Sequence, residues 1–280
     1  MKTTKVQQIL VYTDFTTVGE KSLEWAIFFA KQFEKELFIV HVINENSFAY
    51  FSKSNAEDEA KDALAVICDN IYSEHKIRCQ YFVEEGCTCT IINSNAERID
   101  AFFVVLGTHG KNDPQFLSGT AAVKIIRKSR IPYFVVQKNT LTPDSNKHIV
   151  LPLDFRKEMK EKTGWVSFFS KHLKTDIEII FQNLKDDRLE KNLFFCTKFF
   201  NKLELTHHTH ELVSSYENIN SKAVKFAVEN GSLLIVIITT KDETFIHKIF
   251  GFPETKTIAN TKGIPVLCIN PKKDLFIPCI

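Results

Sequence analysis

The chain repeats itself at an offset of 140 residues: Ile9-Leu10-Val11-Tyr12-Thr13-Asp14-Phe15 returns as Ile149-Val150-Leu151-Pro152-Leu153-Asp154-Phe155. The register holds downstream, where Trp25 corresponds to Trp165, Phe28-Phe29 to Phe168-Phe169 and Lys31 to Lys171. Toward the far ends, Ile131-Pro132-Tyr133-Phe134-Val135-Val136 is answered by Ile264-Pro265-Val266-Leu267-Cys268-Ile269 at an offset of 133. Solenoid periods run from about 20 to 50 residues, so a repeat this long makes each copy a domain. The expected domains are 1–138 and 148–271. The polar stretch 139–147, with Pro143 inside it, is the linker, and the residues from Pro271 onward have no counterpart in the repeat.

Within the first copy, apolar runs at 8–14, 37–43, 77–83, 101–107 and 132–137 alternate with segments of helical periodicity such as Leu23, Ala26, Ile27 and Ala30. Runs that are apolar throughout, such as Ala101 to Leu106, indicate strands buried on both faces of a parallel sheet. The second copy repeats the alternation, with strands expected near 148–154, 176–182, 202–208, 232–239 and 265–270. The fold class is therefore α/β: two tandem, doubly wound, parallel five-stranded sheets of Rossmann-like type, related by a pseudo-twofold.

Composition narrows the function classes. The 36 basic residues nearly balance the 34 acidic ones, which leaves no electrostatic footprint for nucleic acid or an anionic membrane. No run approaches the roughly 18 apolar residues of a membrane span, and Met1 to Lys5 lead straight into a strand, so a cytoplasmic protein is expected. The seven cysteines are an odd number with no Cys-x-x-Cys pair, as fits free thiols in a reducing compartment. Cys87 and Cys89 read as small residues in a loop before a helix. His207, His208 and His210 read as a solvated strand end, with His208 and His210 on one face. No metal ligand is assigned.

Ligands of open α/β sheets bind beyond the carboxyl ends of the strands, where strand order reverses. Three of the chain's nine glycines, Gly107, Gly110 and Gly119, fall in the 13 residues after the fourth strand, and Gly119-Thr120-Ala121 opens a helix. Glycines let a backbone approach a phosphate, and a helix N-terminus offers N–H groups and the positive end of its dipole. Asp14, ending the first strand, places a carboxylate where it can meet a sugar or base. His109 reads as a loop donor to phosphate.

These residues resemble the universal stress protein family. Its nucleotide-binding members carry Gly-x2-Gly-x9-Gly-Ser/Thr after the fourth strand, Pro-Thr-Asp-Phe-Ser in the first, and His-Val-Val/Ile ending the second. Thr13-Asp14-Phe15-Thr16, His41-Val42-Ile43 and the Gly107 loop stand in the same order here. The resemblance implies an adenine nucleotide, ATP with Mg²⁺, in the first domain. Thr13, Asp14 and the backbone of Val42 would lie against the nucleoside, and Gly107, His109, Gly110, Gly119, Thr120 and Ala121 around the phosphates. It also implies that the last strands, 131–137 and 264–270, pair within the chain as two subunits would in a dimer. A further homodimer would need another surface, such as the phenylalanine-rich helices.

The chain departs from the pattern twice in the first domain. Gly110 and Gly119 are separated by eight residues, with Asp113-Pro114 among them, and Tyr12 replaces the usual proline. In the second domain Ile238-Thr239-Thr240-Lys241 stands over the first glycines and Gly251-Phe252 over the last pair, so no nucleotide is expected there. The reading is a stress-response regulatory module and not an enzyme, although slow ATP hydrolysis is compatible with it. The alternative is a scaffold that binds no nucleotide in either half. An adenylating enzyme would need a Ser-Gly-Gly-x-Asp-Ser loop after the first strand, where this chain has Phe15 to Glu20.

Overall fold

A computed structural model describes residues 6–109, 117–144, 146–156, 158–182, 186–213, 217–239 and 254–270. The first half places strands β1 (Gln8–Tyr12), β2 (Glu36–Ile43), β3 (Cys79–Glu85), β4 (Val104–Thr108) and β5 (Tyr133–Gln137) between helices α1 (Thr17–Phe33), α2 (Ala56–His75), α3 (Thr88–Arg98) and α4 (Gly119–Lys128). The second half contributes β6 (Ile149–Pro152), β7 (Ile177–Gln182), β8 (His207–Leu212), β9 (Leu234–Ile238) and β10 (Val266–Ile269). Its helices are α5 (Met159–Leu173), α6 (Asp187–Lys202), α7 (Ile219–Glu229) and α8 (Thr255–Ile258).

All ten strands form one sheet, ordered β3-β2-β1-β4-β5-β10-β9-β6-β7-β8. Each half is parallel, and the two join through β5 and β10, which pair antiparallel with Phe134 opposite Leu267. The order reads the same from either end once the second half is renumbered, which is the pseudo-twofold expected from the repeat. The pairing of the last strands covers the edge that each half would otherwise expose.

Alternation along the strands builds two apolar layers, one on each face of the sheet. Ile9, Val11, Leu37, Ile39, Phe103, Val105, Phe134 and Val136 face α1, α2, α5 and α6, whereas Leu10, Val40, Val104, Leu106, Tyr133 and Val135 face α3, α4, α7 and α8. The first layer crosses from one half to the other through aromatic side chains. Phe29 and Phe33 of α1 meet Phe169 of α5 at 5.4 and 5.1 Å between ring centroids, and Phe102 meets Trp165 at 5.2 Å. The repeated Trp and Phe positions thus face each other across the domain boundary. Phe29, Phe33, Phe168 and Phe169 are buried within the molecule, and Phe28 of α1 is half-buried. Among the described residues the exposed phenylalanines are Phe194 of α6, at 67%, and Phe155 after β6, at 46%.

The linker is fastened rather than loose. Trp25 Nε1 donates to Leu141 O at 3.1 Å, and Thr140, almost fully buried, accepts from Gln137 N at 2.8 Å through its hydroxyl. Asn270 Nδ2 reaches across to Ile126 O and Ile131 O at 2.8 and 3.0 Å.

One expected strand is displaced. The segment 202–208 was expected to be extended, but α6 runs to Lys202 and β8 begins only at His207. Leu203 and Leu205 belong to the end of the helix: their N–H groups return to Phe199 O, Phe200 O and again Phe200 O, with Glu204 left-handed at φ 55° between them. The apolar residues that suggested a strand complete a helical cap.

Candidate functional site

The turn between β1 and α1 is built by its own side chains. Thr16 caps α1, its hydroxyl accepting from Val18 N and Gly19 N, both at 3.2 Å. Phe15 before it is left-handed at φ 59°, a conformation held by Phe15 N donating to Thr13 Oγ1 at 3.2 Å and by its ring packing on His41 and Phe51. The result points the Asp14 side chain over the carboxyl end of the sheet. Asp14 Oδ1 accepts from Thr16 N (3.1 Å) and Thr16 Oγ1 (2.6 Å), and Oδ2 accepts from His109 Nε2 at 2.9 Å.

His109 follows β4 directly. Its backbone N–H donates to Leu117 O at 2.9 Å and so brings together the two ends of the glycine loop. Its Nε2, which carries the proton toward the acceptor-only carboxylate, also lies 3.3 Å from Thr16 Oγ1. A relay of the Ser-His-Asp kind uses one ring nitrogen for the hydroxyl and the other for the carboxylate. Here one nitrogen faces both, so the cluster orients Asp14 and does not activate Thr16.

Burial by itself would raise the Asp14 carboxyl, but the hydrogen bonds from His109 and Thr16 outweigh it and hold the group below the usual carboxylate value. The sign follows from linkage. A depressed folded pKa contributes stability that is complete above the unfolded value, about 3.9, and is lost as pH falls through the folded one. Asp14→Asn is therefore expected to flatten the acid limb of a stability–pH profile below about pH 4. Urea titrations at stepped pH would show this; a limb as steep in the variant as in the parent would contradict the assignment.

Beside Asp14, the end of β2 forms the second wall. His41 is buried between Thr13 O (2.9 Å from Nδ1) and Ser47 Oγ (3.2 Å from Nε2), and burial lowers its pKa. Val42 is fully buried, and its carbonyl accepts from Asn44 Nδ2 and Ser47 Oγ. A 3-10 turn over Glu45–Ala49 follows, fixed by a reciprocal capping box between Asn44 and Ser47. Between these walls lies a cleft of about 160 Å³, floored by Tyr12 and Asp14 and lined by Asn44, Asn46, Ser47, Thr88, Leu117 and Ala121. Strand order reverses here, since β1 has β2 on one side and β4 on the other.

The helix that closes the cleft begins differently from the expectation. Its cap is Ser118, whose hydroxyl accepts from Ala121 N at 3.3 Å; Thr120 is exposed in the first turn. Gly119 is buried against the second half of the chain, where an added Cβ would stand 2.2 Å from Ala259 Cβ. Gly107 is equally confined, its Cβ position lying 2.5 Å from Val18 Cγ1. Both glycines are thus required by close packing, apart from any ligand. Asp14 and Ala121 line the cleft with the backbone of Val42 behind its wall, His109 bonds Asp14 without lining the cleft itself, and Thr13 contributes its carbonyl to His41. Gly110 lies outside the described residues, as do Asp113 and Pro114. Sequence reading missed Tyr12, Asn44, Asn46, Ser47, Thr88 and Leu117. Only the Asn44-x-x-Ser47 capping pattern signalled part of that set.

In the second half Arg156 stands where the first has Thr16. Asp154 accepts from Arg156 N (3.0 Å) and Arg156 Nε (2.8 Å), and the same guanidinium donates to Ile238 O at 3.2 Å, bridging the ends of β6 and β9. Lys162, where the first half has Ser22, is fully buried and donates to Pro152 O. Burial lowers its pKa to about 8 against the pull of Asp154. Burial would raise Asp154 in turn, and the charges of Lys162 and Arg156 keep it low. Thr240, Lys241, Gly251 and Phe252 lie outside the described residues. Of the histidines, His210 pairs with Glu178, His207 Nδ1 lies 3.0 Å from Leu205 O, and His208 is exposed. Among the described residues no group of three or more potential ligands is placed to hold a metal ion, and no helix is long and apolar enough to cross a membrane.

The fold matches known proteins over nearly its whole length. A universal stress protein from Archaeoglobus fulgidus superposes with a TM-score of 0.74 at 15% identity, covering 95% of this chain and 99% of that one. The cytoplasmic domain of a prokaryotic cation chloride cotransporter superposes at 0.58 with 9% identity over 97% and 98% of the two chains. In sequence, a curated universal stress protein of Methanocaldococcus jannaschii is 25% identical over 141 residues, 47% of this chain and 82% of its own. The model of the universal stress protein family matches residues 5–137. Over residues 5–137 the chain thus matches the universal stress protein family, and its second half repeats the fold of that first domain.

Proposed function

We propose that the first domain binds ATP or a related adenine nucleotide, with Mg²⁺, and that the second is a non-binding partner in a stress-response regulatory module. The observation that carries this reading is the cleft floored by Asp14 at the reversal of strand order and lined by Ala121 of the first turn of α4, whereas in the second half Arg156 binds Asp154 and the end of β9. About 160 Å³ suits the base or sugar of a nucleotide rather than the whole molecule, with the phosphates at the N-terminus of α4. Asp14 would accept from the nucleoside with its remaining lone pairs, its orientation fixed by His109 and Thr16. The role is binding, since the His109 nitrogen that faces the Thr16 hydroxyl is the one that donates to Asp14.

A second reading has its own support. Packing alone explains Gly107 and Gly119, so the glycine signature does not require a ligand, and a scaffold acting through protein contacts accounts for it equally. Isothermal titration with ATP and Mg²⁺ separates the two. The variants are Asp14→Ala and Thr120→Glu; the latter puts a carboxylate at an exposed first-turn position where it favours the helix but repels phosphate. Micromolar binding at one site per chain, lost in both variants, is expected. Absence of heat and of any thermal shift at millimolar ATP would leave the scaffold.

A further inference from the structure

Helices α2 and α6 occupy equivalent places in the two halves, yet they differ in charge. Against Lys61, α2 carries six acidic residues, whereas α6 carries Arg188, Lys191, Lys198 and Lys202 against Asp187 and Glu190. Asp58, Asp62, Val66 and Asp69 follow one another along the exposed face of α2, and Lys191, Phe194, Lys198 and Lys202 along that of α6. Val66 and Phe194 are each more than half exposed. Taken in opposite directions, the two series have the same intervals of three, four and four residues: Asp69 matches Lys191, Val66 matches Phe194, Asp62 matches Lys198 and Asp58 matches Lys202. One turn further, the exposed Tyr72 falls opposite Arg188. Among the described residues, none of these aspartates or lysines makes a salt bridge within the chain.

The two helices of one chain cannot meet. α2 joins β2 to β3 and α6 joins β7 to β8, at opposite ends of the ten-stranded sheet, while both pack on the same apolar layer. They also run in opposite directions, because the halves join antiparallel through β5 and β10. A twofold axis along the strands therefore turns a second copy face to face and lays each α2 antiparallel on the other copy's α6, which closes the assembly at two chains. We propose that the protein forms a homodimer through two such contacts, each a seam of aspartate–lysine pairs around Val66 and Phe194. Exposed ion pairs contribute little apiece and are screened by salt, so the dimer is reversible and weakens as ionic strength rises.

Sedimentation equilibrium of the full chain provides the test. The parent should show a monomer–dimer equilibrium whose dissociation constant rises with added sodium chloride. Asp62→Lys with Asp69→Lys makes the α2 face basic, and Lys191→Glu with Lys198→Glu makes the α6 face acidic; each pair of changes should weaken self-association at least tenfold. An equimolar mixture of the two variants should dimerise again, because both contacts then join opposite charges, and this recovery also shows that both variants are folded. A parent that stays monomeric at millimolar concentration, variants that associate as the parent does, or a mixture that stays monomeric would each overturn the proposal. So would a monomeric parent that sediments with phosphatidylglycerol vesicles, which would assign the lysine–phenylalanine face to a membrane.

Discussion

Phe29→Ala is expected to cost about 3–5 kcal/mol and to weaken both halves of the chain together. The ring is fully buried and touches Trp25, Phe33, Phe103, Phe134 and, across the domain boundary, Phe169. Removing it opens a cavity in the layer that runs through both halves, so neither side retains a complete core. Urea unfolding followed by far-ultraviolet dichroism and tryptophan fluorescence gives the check, because Trp25 and Trp165 report one from each half. The two signals should shift to lower urea together. A variant in which Trp25 loses stability while Trp165 keeps its parental midpoint would show that the halves have separate cores.

Gly119→Ala carries the second large effect, and a single additional change should reverse it. The new methyl would meet Ala259 Cβ at 2.2 Å, far inside van der Waals contact; the next atoms, Ala259 Cα and Thr255 Cγ2, stand at 3.7 and 3.8 Å. Overpacking of this kind costs about 1–3 kcal/mol. Because one methyl accounts for the collision, Ala259→Gly in the same chain should restore most of the loss, in a double-mutant cycle with coupling of similar size. Additive losses would mean that the glycine serves something other than the contact between α4 and the segment after α8. The pair also bears on the nucleotide reading: a Gly119 variant that binds no ATP says little unless its fold is intact.

Much of this architecture was legible in the residues. The offset of 140 located both halves, and apolar runs placed nine of the ten strands to within a few residues. The exception, β8, follows a helix whose last turn is closed by Leu203 and Leu205, and apolar residues at a cap carry the same signal as the start of a strand. At the candidate site, Asp14 and His109 were each visible but their contact was not, because 95 residues separate them and no local pattern encodes a tertiary hydrogen bond. The glycines misled in a different way. A missing side chain is equally the mark of a backbone that approaches a ligand and of one that approaches another helix, and only coordinates distinguish Ala259 from a phosphate. Arg156 was hidden for a related reason: its role depends on reaching the carbonyl at the end of β9, 82 residues away.

The antiparallel seam between β5 and β10 has a further consequence. In an assembly of two identical chains every substitution arrives twice, so a residue that blocks one cleft blocks both. Here the two sides of the seam are written separately in one chain, and a guanidinium can stand at 156 while a threonine stands at 16. The molecule keeps the shape of a symmetric pair without its obligation to be the same on both sides.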